Sequence, residues 1–94
     1  MYTIYVKFEC VDGKREAFVE RVEKEGILKA IREEDGCYKY DYYFSQKDKN
    51  ELLLIEKWES KNHQQIHINQ PHMKVLREFQ DEYIVNAEFG EIKF

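Results

Sequence analysis

The chain has one proline, four glycines, two cysteines and one tryptophan in 94 residues. With so little Pro and Gly, no linker or low-complexity tract divides it, and a single domain spanning residues 1–94 is expected. Cys10 and Cys37 form neither a CxxC pair nor a secreted-type disulfide framework, which favours a reducing cytoplasm. No apolar run approaches the roughly 20 residues of a membrane span. The start reads directly as a strand, without a basic and apolar leader, so a cytoplasmic protein with no membrane partner is expected. The net charge of −4 leaves no basic excess, which argues against a nucleic-acid partner.

Aromatic residues are abundant: seven Tyr and six Phe can supply the core of a small domain. Tyr2 to Cys10 alternates with a period of two and predicts a strand. Asp12 is placed to cap the helix that follows, from Lys14 to about Arg32, with Phe18, Val22, Leu28 and Ile31 on one side. Gly26 is positioned to kink or divide that helix. Cys37 to Ser45 and Glu51 to Glu59 read as a hairpin. The run Leu52-Leu53-Leu54-Ile55 is apolar on both faces, which predicts cover on both. Ser60 suits the cap of a helix to about Asn69, and Pro71 suits the first turn of another, carrying Met73, Leu76, Phe79 and Tyr83. Ile84 to Phe94 reads as a last strand with Gly90 as a bulge.

The predicted order is β-α-β-β-α-β, an α+β ferredoxin-like antiparallel sheet with helices on one face. Its first and second strands run parallel with the third between them, placing Cys10 and Cys37 at opposite ends of the sheet. No disulfide is therefore expected. The bare sheet face predicts a homodimer with two sheets face to face.

The chemistry-bearing residues cluster after the third strand. His63, His67 and His72 lie within ten residues, just beyond Trp58. His63-Gln64-Gln65-Ile66-His67 has the His spacing of the zinc-protease helix but carries Gln64 where the catalytic glutamate belongs, so no metal site is expected. His67, with an ordinary pKa of about 6.5, can act as a base or pack between helix and sheet. His72 can take part in chemistry or hold a helix start, and His63 reads as a surface residue. Trp58 can wall an aromatic pocket or simply pack as core. Glu56, on the side of Trp58, favours a pair with Lys or Arg. Tyr40 and Tyr42 share one strand face and Tyr43 takes the other.

Several features occur together in a family order. They are the opening strand, Gly13 to Phe18 (Gly-Lys-Arg-Glu-Ala-Phe), Asp35-Gly36-Cys37, Glu56-x-Trp58-x-Ser60, then His67 and Pro71-His72. In these the chain resembles the antibiotic biosynthesis monooxygenase superfamily. The resemblance implies a dimeric α+β barrel with a pocket between each sheet and its helices. It implies a cofactor-independent oxidation of a quinol-like or polycyclic phenolic small molecule by molecular oxygen, in which the substrate anion reduces the oxygen. His67 and His72 would then be catalytic, and Trp58, Tyr40 and Tyr42 would bind substrate. Haem degradation is not expected. His67 stands where that branch has its tryptophan, Arg77 stands at its histidine, and the first strand lacks its asparagine. Two alternatives stay open. One is isomerisation or degradation of a small phosphorylated metabolite, which needs a cationic anchor such as Arg32, Lys74 or Arg77. The other is a non-catalytic dimer that binds a small ligand.

Overall fold

Two-residue alternation in the first ten residues becomes strand β1 (Tyr2–Cys10) in a computed structural model that describes residues 1–94. Ile4, Phe8 and Cys10 point to the buried side. The predicted first helix is two: α1 (Arg15–Lys24) and α2 (Ile27–Arg32). Gly26 separates them in a left-handed conformation, φ 77°, which glycine adopts without a Cβ penalty. Phe18, Val22, Leu28 and Ile31 are all buried, as the helical spacing predicts. Asp12 does not cap α1. The helix begins after Lys14, without a side-chain cap, and the Asp12 carboxylate instead accepts from the Asn50 amide at 3.0 Å and pairs with Lys49 at 3.2 Å.

Strands β2 (Cys37–Phe44) and β3 (Glu51–Trp58) form the hairpin. Ser60 caps α3 (Lys61–Ile68), its hydroxyl accepting from the His63 N–H at 3.3 Å. Pro71 opens α4 (Pro71–Gln80), where its missing N–H removes no helical bond. Met73, Leu76 and Phe79 are buried, and Tyr83 packs against Phe18 and Phe79. The last strand, β4 (Ile84–Glu91), stops three residues short of the expected end. Its irregularity falls at Val85, where Glu9 pairs with Asn86 and Cys10 with Ile84. Gly90 makes no bulge. It lies opposite Tyr5, whose ring covers the place a Cβ would occupy, 2.6 Å away.

The sheet order is β2-β3-β1-β4 and every neighbouring pair is antiparallel. This is the α+β ferredoxin-like arrangement. One apolar cluster joins the helices to the sheet face they cover, through Phe8, Phe18, Ile31, Leu54, Trp58 and Leu76 among others. Cys10 and Cys37 are both free, one beside the start of β3 and the other beside its end. No helix is long and apolar enough to cross a membrane.

Along β3 the burial alternates. Leu52, Leu54, Glu56 and Trp58 face the helices, while Leu53 and Ile55 lie half-buried on the open sheet face. Beside them are Tyr43, paired with Leu53, and Tyr5, paired with Ile55.

Candidate functional site

Three chain segments converge on one carboxylate. Glu34 lies in the turn between α2 and β2, which Gly36 completes at φ 79°. Any other residue at 36 would put its Cβ into the ring of His63. His67 is in the last turn of α3 and His72 is the second residue of α4, placed by Pro71. Oε2 of Glu34 meets Nδ1 of His67 at 2.9 Å and Nε2 of His72 at 2.7 Å. An ionised carboxylate only accepts, so both rings donate to it. That leaves Nε2 of His67 and Nδ1 of His72 as the basic nitrogens. No fully buried side-chain polar atom lacks a partner, and His67 makes no second hydrogen bond, so its Nε2 keeps a small accessible surface.

His67 is 2% exposed and lies between two aromatic rings, 4.6 Å from Trp58 and 5.6 Å edge-on from Tyr40. Burial holds its pKa below the ordinary value, with the Glu34 hydrogen bond acting in the opposite sense. The ring is therefore neutral at neutral pH, as a base must be.

Trp58 donates its indole N–H to Oε1 of Glu56 at 2.9 Å, inside the protein. Glu56 pairs with no lysine or arginine, contrary to the sequence expectation. Alternation along β3 turns it under the helices, where the indole is its only partner. Desolvation pushes its carboxyl up to about 7, although the Trp58 hydrogen bond acts to lower it. Tyr40 and Tyr42 share the inward face, with rings 6.0 Å apart and perpendicular. Burial raises the Tyr40 phenol well above its ordinary range.

His63 stays outside this cluster. Its Nδ1 meets the Ser60 hydroxyl at 2.7 Å and its Nε2 faces Asp35 and Glu59 at 3.5 and 3.7 Å. The two histidines of the helix-spaced pair therefore have different partners. Of the possible anionic-group anchors, Arg32 is held by the Tyr40 carbonyl and Asp41, Arg77 by the Ile68 carbonyl, and Lys74 is exposed on α4.

A cavity of about 270 Å³ opens beside the cluster, lined by Glu34, Asp35, His63, Ile66 and Gln70. Deeper in, the space between sheet and helices is filled by the rings of His67, Trp58, Tyr40 and Phe18. The arrangement thus offers a neutral imidazole oriented by a carboxylate, set among aromatic rings. Glu34 is the member that sequence reading missed. The run Glu33-Glu34-Asp35 reads as a polar helix exit, and nothing in it marks the middle residue.

Residues 1–78 match the family described as antibiotic biosynthesis monooxygenase. A search of curated proteins found no match. Among solved structures, the chain is similar to a Pseudomonas aeruginosa protein, with 22% identity and a TM-score of 0.83, over 99% of this chain and 92% of that one. A Nitrosomonas europaea protein assigned to the antibiotic biosynthesis monooxygenases gives 19% identity and a TM-score of 0.86, over 100% and 98%. A Mycobacterium tuberculosis protein gives 24% identity and a TM-score of 0.80, over 99% and 93%. At these identities the likeness is one of fold.

Proposed function

The chain belongs to the antibiotic biosynthesis monooxygenase family, and from that premise we propose that it oxidises a quinol-like or polycyclic phenol with molecular oxygen, without a bound cofactor. The observation that carries this reading is the buried His67 ring, oriented by Glu34 at 2.9 Å and packed on Trp58.

In this reading, Nε2 of His67 takes the phenolic proton. The hydrogen bond from Nδ1 to Glu34 holds the ring in the tautomer that leaves Nε2 free and stabilises the imidazolium that forms. The substrate anion then supplies the electrons. A quinol and O₂ give a hydroxyquinone and water, with one oxygen atom entering the ring and the other leaving as water. His72 holds the other side of Glu34, and its Nδ1, an acceptor in this tautomer, is the nitrogen left to accept a hydrogen bond from a substrate hydroxyl. Trp58, Tyr40 and Tyr42 are the proposed walls, and their rings must part for a substrate to enter.

Oxygen uptake with a menadiol-type quinol tests this. Wild type is expected to exceed buffer, and His67→Ala to lose about a hundredfold, the lower range for removal of a general base. Uptake no faster than buffer in both proteins overturns the reading. One observation favours a second reading, a small-ligand-binding module without turnover: the interior is filled by the protein's own rings. A thermal shift with an aromatic ligand but no oxygen uptake would select it.

The pocket is proposed to work within a homodimer formed through the open sheet face. Tyr5, Leu53, Ile55 and Tyr43 lie together there. Apolar surface of this kind on a sheet is stabilised by covering it. Leu53→Glu, which puts a charge at the centre of that face, is expected to give a monomeric mass by light scattering with an unchanged far-UV spectrum. A dimeric mass in this variant would place the interface elsewhere.

A further inference from the structure

We propose that Glu34, His67 and His72 form a binding site for a first-row divalent cation of the Zn2+ type. The proposal does not rest on the oxygenase reading, because it is tested by binding and not by turnover.

Two imidazole nitrogens and one carboxylate oxygen lie within 4.8 Å of one another. They come from three separate segments, the α2–β2 turn, the end of α3 and the start of α4, so the fold itself assembles them. The side chains of Glu34, His67 and His72 are 9%, 2% and 20% exposed, shielded enough to hold an ion tightly. No lysine or arginine pairs with Glu34, and the only groups facing its carboxylate are the two rings. The guanidinium of Arg77, whose charge is felt at His67, is occupied by the Ile68 carbonyl.

Two imidazoles and a carboxylate suit zinc and its neighbours in the series. Three protein ligands leave a coordination position open. The cavity of about 270 Å³ at Glu34 gives that position a route to solvent. Ligand bonds of about 2.0–2.2 Å set tetrahedral donors roughly 3.3 Å apart, so the two Glu34 contacts must open by about half an ångström and the two ring nitrogens, which lie within 4.8 Å of one another, must draw together. The ring protons now pointing at Glu34 move to the opposite nitrogens, Nε2 of His67 and Nδ1 of His72. The rings change tautomer only, and nothing is oxidised or reduced. Because Nε2 of His67 then carries a proton, the ion-bound form and a form with His67 as base exclude one another.

The sole tryptophan reports occupancy, since its ring lies 4.6 Å from that of His67. Chelator-treated full-length protein is titrated with Zn2+ by calorimetry and with Co2+ or Ni2+ by fluorescence. A single ion per chain and quenching of Trp58 are expected. Glu34→Gln and His72→Ala should each weaken binding by about tenfold or more, in the range seen for disturbed metal sites, and His63→Ala should leave it within about twofold. If Glu34→Gln fails to fold, the partly exposed His72 position carries the test alone. No quenching, or equal affinity in wild type and His72→Ala, overturns the proposal.

Discussion

Glu56→Gln is expected to stabilise the protein by about 3 kcal/mol at about pH 8 and to change it little near pH 4, at about 1.4 kcal/mol per pKa unit. The folded carboxyl is raised to about 7 from an unfolded value of 4.5. Below 4.5 both states carry the proton and burial costs nothing extra in charge. Between the two values only the unfolded state ionises, so wild-type stability falls as pH rises. Above about 7 the folded state must hold a buried anion, and the full penalty is present. Glutamine never ionises, yet its carbonyl can still accept the Trp58 indole N–H. The gain of the variant should therefore grow through this window and then level off. Urea midpoints at the two ends of the range read it directly. A variant no more stable than wild type at the higher pH would mean that Glu56 is solvated or paired in solution.

Trp58→Ala is expected to cost about 3–5 kcal/mol, the usual loss for a large aromatic truncated in a core. Trp58 is fully buried, packed at a tilt against His67 and bonded to Glu56. Its removal leaves a cavity under α3 and takes away the only donor to a buried carboxyl. For a domain of this size the melting temperature should fall by more than about 10 °C. Trp58→Phe separates the two contributions. It keeps much of the packing but strands Glu56, for which about 1–3 kcal/mol is the ordinary cost. A melting temperature for Trp58→Ala within a few degrees of wild type would show that the indole does not brace this corner of the fold. A Phe variant as stable as wild type would show instead that the Glu56 bond contributes little.

Both predictions concern side chains whose direction was legible while their surroundings were not. Alternation in β3 puts Glu56 and Trp58 on one face, and the structure keeps them there. The sequence contains enough Lys and Arg to suggest an ion pair for Glu56. Those cations lie on the solvent side, because long charged side chains follow water and Glu56 is carried inward by its strand. Asp12 shows the same limit. Its residue type suits a helix cap, yet Asn50 and Lys49, far along the chain, claim its carboxylate. Gly26 was legible as a break but not as a left-handed turn between two helices.

The histidines divide in the same manner. Their spacing along α3 and α4 could be read directly, but His63, expected at the surface, is partly buried, with its ring against Gly36. Which acid they meet could not be read. Glu34 stands 33 residues before His67 and 38 before His72, among acidic neighbours of the same chemistry.

By itself, then, the sequence determined the order of strands and helices, the shared face of the apolar residues in the first strand and in the helices, and the family. These follow from periods of two and of 3.6 residues and from turn chemistry, all of which are local. Only the tertiary structure decided that Glu34 joins His67 and His72, that His63 does not, and that Glu56 is buried with an indole for company. Distance across the fold and loss of water set those properties, and neither is encoded in any short stretch of chain.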